Sequence, residues 1–272
     1  MTADRDLTEG ERWARDELSR LLARRFTPPA VARFLWSSSV RSAQIRRERP
    51  EFARRARSWA ALGTGVWVAL AATGQEPFRR RLRPGLGWWA LTTAMVDWHL
   101  GMVETEDGRP RNLSAADFLT LTRAWLVPVA FDAPTPLVCV LASATDTLDG
   151  PLARRAQPTR AGRDLEGLVD ACFGAAALRG ARRRDWLGRR VVTAELARLG
   201  TGFAYALVVY FGQARPPAGG LVHAARATSI LRAGGLLLAG LDRRREADAM
   251  MLAGSAASVG LLAHAAAKTY SG

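Results

Sequence analysis

The chain has 272 residues, 49% of them hydrophobic, and a formal net charge of +14 carried almost wholly by arginine, with Lys268 the only lysine. Cys139 and Cys172 stand in apolar runs without pairing or ligand spacing, and His99, His223 and His264 are scattered, so a disulfide scaffold and a zinc site are excluded. The heavy use of Arg, Ala, Gly and Leu points to a GC-rich bacterium, such as an actinobacterium. Polarity is segregated: residues 1–57 are arginine-rich, and the remainder alternates apolar runs with short charged loops. Basic clusters beside apolar runs suit anionic lipid headgroups or phosphate-bearing substrates, whereas the bland reading is surface arginine.

The polar start lacks an early apolar core, so no cleavable signal peptide is expected. Thr8 and Glu11 have capping-box spacing and predict a helix from about Glu11 to Phe26, ended by Pro28 and Pro29. Trp13, Leu18, Leu21, Leu22 and Phe26 share one of its faces, which could lie on a membrane or dock on the chain. A second basic stretch leads to apolar runs at 59–74 and 85–103, each near the lower limit of about 17 residues for a spanning helix. Tryptophans in the second run suit a membrane interface, while Asp97 and His99 weaken it as a span. The pair could span, or lie re-entrant or on the surface.

Six more apolar segments follow, at about 118–131, 134–148, 163–180, 191–213, 220–241 and 247–267. Their Gly and Ala content permits close helix packing in lipid. Runs such as LVVYFG and ILRAGGLLLAGL lack the polar face a soluble bundle needs. The expected fold class is all-α: a multi-pass transmembrane helical bundle, with a six-helix core and about two extra N-terminal apolar segments. Residues 1–57 form a polar N-terminal region with an amphipathic helix, 58–104 the two extra segments, and 105–272 the membrane core. Arginines fall on both sides of an alternating topology, so loop charge does not orient it.

Residues 144–174 place costly charge within this apolar chain. Asp146, Asp149, Gly150, Ala153 and Arg154 share one helical face, and Gly162, Glu166, Asp170 and Gly174 follow an i, i+4 ridge on the next helix. A short turn between them brings four carboxylates together with small residues between. Such a group cannot stay wholly ionised and unpaired, and oxygen-only ligands suit Mg²⁺ or Mn²⁺. Arg154 would offer a fixed positive charge to a phosphate, so the set suggests two-metal chemistry on a phosphate ester. The plainer alternative is a structural network of these acids with Arg154, Arg155 and Arg163. Arg123, Arg226 and Arg232, in or near core helices, could bind an acceptor phosphate, snorkel, or pair with acids.

The stretch resembles the signature of the CDP-alcohol phosphatidyltransferases, D-x2-D-G-x2-A-R-x7 or 8-G-x3-D-x3-D. Asp146, Asp149, Gly150, Ala153, Arg154, Gly162 and Asp170 match, and Glu166 stands where the third aspartate is usual. Upstream, Asp117, Phe118, Leu119, Thr120, Arg123 and Pro128 keep the layout of the family's P-N-L-L-T-x-x-R segment, with Asp117 in place of asparagine. The likeness covers roughly residues 112–268.

The resemblance implies an integral-membrane homodimer of the cell membrane with its site facing the cytoplasm. It also implies transfer of a phosphatidyl group from a CDP-alcohol, most often CDP-diacylglycerol, to an alcohol acceptor, with release of CMP, in phospholipid biosynthesis. By position, Asp146, Asp149, Glu166 and Asp170 bind the metals, with Asp170 also a candidate base. Gly150, Arg154 and Thr159 meet the donor, and Asp117 and Thr120 belong to the substrate-binding set. Membrane lipids are expected partners and nucleic acid is not. The alternatives are a catalytically weak scaffold of the same fold, or a transferase joining a CDP-alcohol to a small phosphorylated polyol. Glu166 reaches one methylene further than aspartate, and Pro151 predicts a bend or restart after Gly150.

Overall fold

A computed structural model describes residues 8–100, 103–105, 108–155, 159–212 and 219–270. The described chain is all-helical: α1 (Glu9–Ala23), α2 (Pro28–Glu48), α3 (Pro50–Ala72), α4 (Glu76–Arg80), α5 (Leu82–His99), α6 (Ala115–Asp132), α7 (Pro136–Arg155), α8 (Arg160–Arg183), α9 (Arg189–Gly212), α10 (Gly219–Gly240) and α11 (Arg244–Tyr270). The only extended pairing among the described residues is two isolated bridges, Glu104 with Pro110 and Thr105 with Thr159. Each of the six apolar segments expected after residue 117 is a helix, α6 to α11.

The Thr8 capping box is present: Glu11 N donates to Thr8 Oγ1 at 3.2 Å, and Thr8 N donates to Glu11 Oε2 at 3.0 Å. The helix starts at Glu9 and stops at Ala23, earlier at both ends than expected. Pro28 does not merely end α1; it opens α2, where a missing N–H costs nothing. Pro50 opens α3 in the same way, so the apolar run at 59–74 is the second half of a helix whose first half carries Glu51, Arg54, Arg55 and Arg57.

One expectation is corrected here. No described helix is long and apolar enough to cross a membrane. The apolar half of α3 is too short. Asp97 and His99 occupy the last turn of α5, charged residues run through α8, and Glu195 with Arg198 and Arg232 fall inside α9 and α10.

The chain divides into two compact units, Met1–Trp125 with Thr145–Asp170, and Leu126–Ala144 with Ala171–Gly272. In the first, Phe52, Trp89, Val96, Leu100, Leu113 and Leu121 form the core. Tryptophans stitch it together rather than facing an interface. Trp88 Nε1 donates to Ala124 O at 2.8 Å, Trp89 Nε1 to Ala60 O at 2.9 Å, and Trp125 Nε1 to Gly63 O at 2.9 Å. Trp67 packs edge-on against Phe78 and Trp125, each contact adding about 0.5–1.5 kcal/mol beyond area burial. Gly63 and Gly85 permit this packing, since a Cβ there would meet the Trp89 and Trp67 rings at 2.5 and 2.1 Å. Asp97 is answered from α2 by Ser42 Oγ and the Arg46 guanidinium.

The second unit has a core of small and branched residues: Leu178, Ala181, Leu187, Val191, Ala239 and Met251. Gly180 lets α8 approach the end of α6, where a Cβ would meet Ala130 O at 2.1 Å. Glu195, 2% exposed, is held by the Ser255 hydroxyl and by Arg198 Nε at 3.0 Å. Cys139 and Cys172 are free.

Candidate active site

Every described side chain of the candidate site belongs to the first unit. It is built from the start of α6, the last turns of α7 and the first half of α8. Ser114 and Asp117 cap α6: Ser114 N and Oγ donate to Asp117 Oδ2 at 2.6 and 2.7 Å. Arg111 stands 3.8 Å from the same oxygen. Asp117 is buried, so its first role is to fix this helix start. Thr120 is also buried, and its hydroxyl donates to Ala116 O at 3.3 Å within its own helix.

α7 runs from Pro136 to Arg155 with Pro151 inside it, so the helix does not restart after Gly150. Asp146 and Asp149 stay on one face. Thr159 caps α8 by accepting a hydrogen bond from Gly162 N at 3.1 Å. Gly162 is needed for close approach: a Cβ would stand 2.9 Å from Thr159 Oγ1 and 3.1 Å from Asp117 Oδ1. Thus Gly162, Thr159 and Asp117 lie together, beside an apolar recess of about 120 Å³ that Val96, His99, Leu113 and Leu165 also line. The side chain of Arg154 lies outside the described residues, as do those of Ala153, Arg163 and Arg226. Gly150 is half-buried on α7 beside Asp149.

The facing ridges meet as the sequence predicts. Asp146, Asp149 and Glu166 each offer a carboxylate oxygen, and these atoms all lie within 4.8 Å of one another. Asp149 is buried, Glu166 half-buried and Asp146 exposed. An all-oxygen set at that spacing fits a hard divalent cation. Asp170 has a separate neighbour, Arg123, whose Nε stands 2.9 Å from Asp170 Oδ1.

Arg123 is the residue whose place the sequence left open. Its guanidinium is 2% exposed, and NH1 donates to Asp149 Oδ2 at 2.7 Å. NH2 lies 3.7 Å from Asp146 Oδ1. Of its three acidic contacts, only that to Asp149 has hydrogen-bond geometry; the other two are ion pairs. Of the alternatives open for it, pairing with acids is what the structure displays. The signal was its position, three residues beyond Thr120 in the upstream segment. Arg232 lies in the second unit, where Nε donates to Thr228 O at 3.0 Å and NH1 stands 4.0 Å from Glu195.

Among the described side chains, the Arg123 guanidinium does not balance four carboxylates. Burial pushes the Glu166 carboxyl up to about 7, and the charges of Asp149 and Asp170 push the same way. Asp170 is raised to about 6, by burial first, with Arg123 opposing and Asp146 and Asp149 adding to it. Its side chain is 43% exposed, so solvent moderates that effect. Burial opposes the charge on Arg123, yet the surrounding acids outweigh it and hold its pKa above the ordinary value.

A sequence model of the CDP-alcohol phosphatidyltransferases matches residues 113–262, more than half the chain and the whole of this acidic cluster. The chain belongs to the CDP-alcohol phosphatidyltransferase family. No curated protein and no solved structure matches it. Membership makes it a transferase that moves a phosphoryl-alcohol group from a CDP-alcohol donor to an alcohol acceptor. The Asp146–Asp149–Glu166 cluster could hold the divalent metal typical of the family.

Proposed function

We propose that the chain transfers a phosphatidyl group from CDP-diacylglycerol to an alcohol in phospholipid biosynthesis, releasing CMP. The observation that carries this reading is the meeting of Asp146, Asp149 and Glu166 oxygens within 4.8 Å at the family's signature positions. Asp146, Asp149 and Glu166, with Asp170 beside them, are the ligands for Mg²⁺ or Mn²⁺, two ions in the full set. Such ions, when bound, neutralise the donor diphosphate and stabilise the departing CMP.

The protein's own groups do the rest. Arg123 holds Asp149 and Asp170 in place. Asp170 accepts the proton of the acceptor hydroxyl, whose oxygen forms the new bond to the lipid-bearing phosphorus as the bond to the CMP oxygen breaks. Gly162 keeps the start of α8 open toward Asp117 and Thr159, and Gly150, Arg154 and Thr159 meet the nucleotide, with Asp117 and Thr120 supporting that wall. Residues 105–272 act as the catalytic core, with 1–57 and 58–104 as additions to it.

The site of action is the cell membrane, with the active site toward the cytoplasm, the side that suits the charged CDP headgroup of the donor and the released CMP. Large apolar side chains left exposed support a lipid setting: Leu137 and Val140 on α7, Phe203 on α9, Ile230 on α10, and Leu252 and Val259 on α11. The same faces suit a homodimer. The test is CMP release from CDP-diacylglycerol by purified protein with Mg²⁺ or Mn²⁺ and a panel of alcohols. Release that depends on both metal and alcohol is expected. Silence across the panel rejects the reading in favour of a scaffold, and turnover only with a water-soluble CDP-alcohol favours the polyol reading.

A further inference from the structure

The family match begins at residue 113, and the α1–α2 hairpin lies wholly before it. Residues 8–57 carry 13 arginines against six acids. The turn joining the two helices is unusual. Arg25 and Phe26 take φ angles of 50° and 54°, a left-handed region that favours glycine. Neither residue is buried by this conformation; it holds Phe26 outward, 51% exposed, one helical turn beyond exposed Leu22.

On α2, Arg33, Trp36 and Val40 follow i, i+3, i+7 spacing and share a stripe. Trp36 is 72% exposed, an unusual position for an indole in water. Between the helices lies a cleft of about 190 Å³ lined by Glu17, Arg20, Leu21, Arg24, Arg33 and Phe34. Arg20 is paired with Glu17. Arg24 and Arg33 have no side-chain partner among the described residues.

Outward aromatic and aliphatic side chains beside unpaired guanidiniums match one kind of surface: an apolar layer topped by anionic oxygens. A nucleic-acid backbone would answer the arginines but leave Leu22, Phe26 and Val40 in water. We propose that the α1–α2 turn is a membrane-docking element for anionic phospholipid. Arg24 and Arg33 bind the headgroup phosphate in the cleft, while Phe26 and Trp36 enter the bilayer interface. This would bring the enzyme to membrane rich in acidic lipid, and it stands whether or not CDP-diacylglycerol is the donor.

The test uses the full chain with Cys139→Ala, Cys172→Ala and Trp36→Cys, labelled at the new thiol with an environment-sensitive fluorophore. It is mixed with phosphatidylcholine vesicles with or without phosphatidylglycerol, each doped with a nitroxide lipid. The expected result is a blue-shifted, nitroxide-quenched label only when phosphatidylglycerol is present. Adding Arg24→Gln and Arg33→Gln should weaken that response by about thirtyfold, and lysine at both positions should restore most of it. A label that stays water-exposed with both vesicles, or is quenched equally in both, overturns the proposal. So does a response that follows RNA or protein concentration instead of acidic lipid. CMP release by the glutamine variant, supplied with detergent-dispersed donor, should be unchanged, which separates this failure from failure of the transferase reading.

Discussion

Replacing Arg123 by methionine tests the electrostatics of the site directly. The guanidinium and its main partner, Asp149, are 2% and 5% exposed, and their contact is 2.7 Å. Removing one member of such a buried pair leaves the other charge uncompensated, at a cost of about 3–5 kcal/mol. The contacts to Asp146 and Asp170 add less, because those carboxylates are 52% and 43% exposed and solvent screens them. For a chain of this size the expected loss of Tm is roughly 6–20 °C. The assay is thermal unfolding of the purified variant with chelator present. Asp149→Asn added to Arg123→Met should recover most of the loss, since it removes the stranded charge. A Tm change below about 2 °C in chelator, or no recovery in the double variant, would refute the reasoning.

Glu166 gives a pH prediction of definite sign. Its carboxyl is raised from an ordinary value near 4.5 to about 7 by burial and by its acidic neighbours. Its favourable contribution is therefore complete below pH 4.5 and lost as pH rises through about 7, so Glu166→Gln should stabilise the metal-free chain at about pH 8. The same proton competes with a cation, so Mg²⁺ or Mn²⁺ affinity measured by calorimetry should fall as pH drops below about 7 in the wild type, and less steeply in the glutamine variant. Gly162→Ala should lower CMP release by tenfold or more with little change in Tm, because its Cβ would press on Thr159 Oγ1 and Asp117 Oδ1 at 2.9 and 3.1 Å. Gly180→Ala, within the second unit, should do the reverse, lowering Tm through about 1–3 kcal/mol of overpacking against Ala130 O of the same unit, with a smaller effect on turnover per folded molecule.

The helices after residue 114 were legible because each is an apolar run bounded by charge or proline, and such runs have few alternatives to a helix. The N-terminal third was harder. Proline was read as a stop at 28, yet proline without its N–H is suited to the first turn, so Pro28 and Pro50 start α2 and α3. Tryptophan was read as an interface residue because an indole is amphipathic. In Trp88, Trp89 and Trp125 the polar N–H finds a backbone carbonyl on a neighbouring helix, so the ring can be drawn inward. Hydropathy misled most where averages conceal interruptions: Asp97 is answered by Ser42 and Arg46, a partnership some fifty residues away that no local window contains.

The acidic site was more legible than the fold around it, because i, i+3 and i+4 spacings fix which side chains share a face whatever the helix packs against. Asp146, Asp149 and Glu166 therefore meet as their spacing requires. The missing member was the counter-charge. Arg123 sits on a third helix, and only tertiary packing could choose among phosphate binding, snorkelling and pairing with acids. Once placed, it divides the four acids. Asp146, Asp149 and Asp170 lie within ion-pair distance of the guanidinium, whereas Glu166 has no such contact with it and its carboxyl is raised to about 7. The glutamate therefore falls on the one acid of the four that Arg123 does not reach, and its need for an added cation follows from that. Glu166→Asp should shift metal affinity more than Asp170→Glu does, and equal shifts on calorimetric titration would show that Arg123 does not divide the cluster.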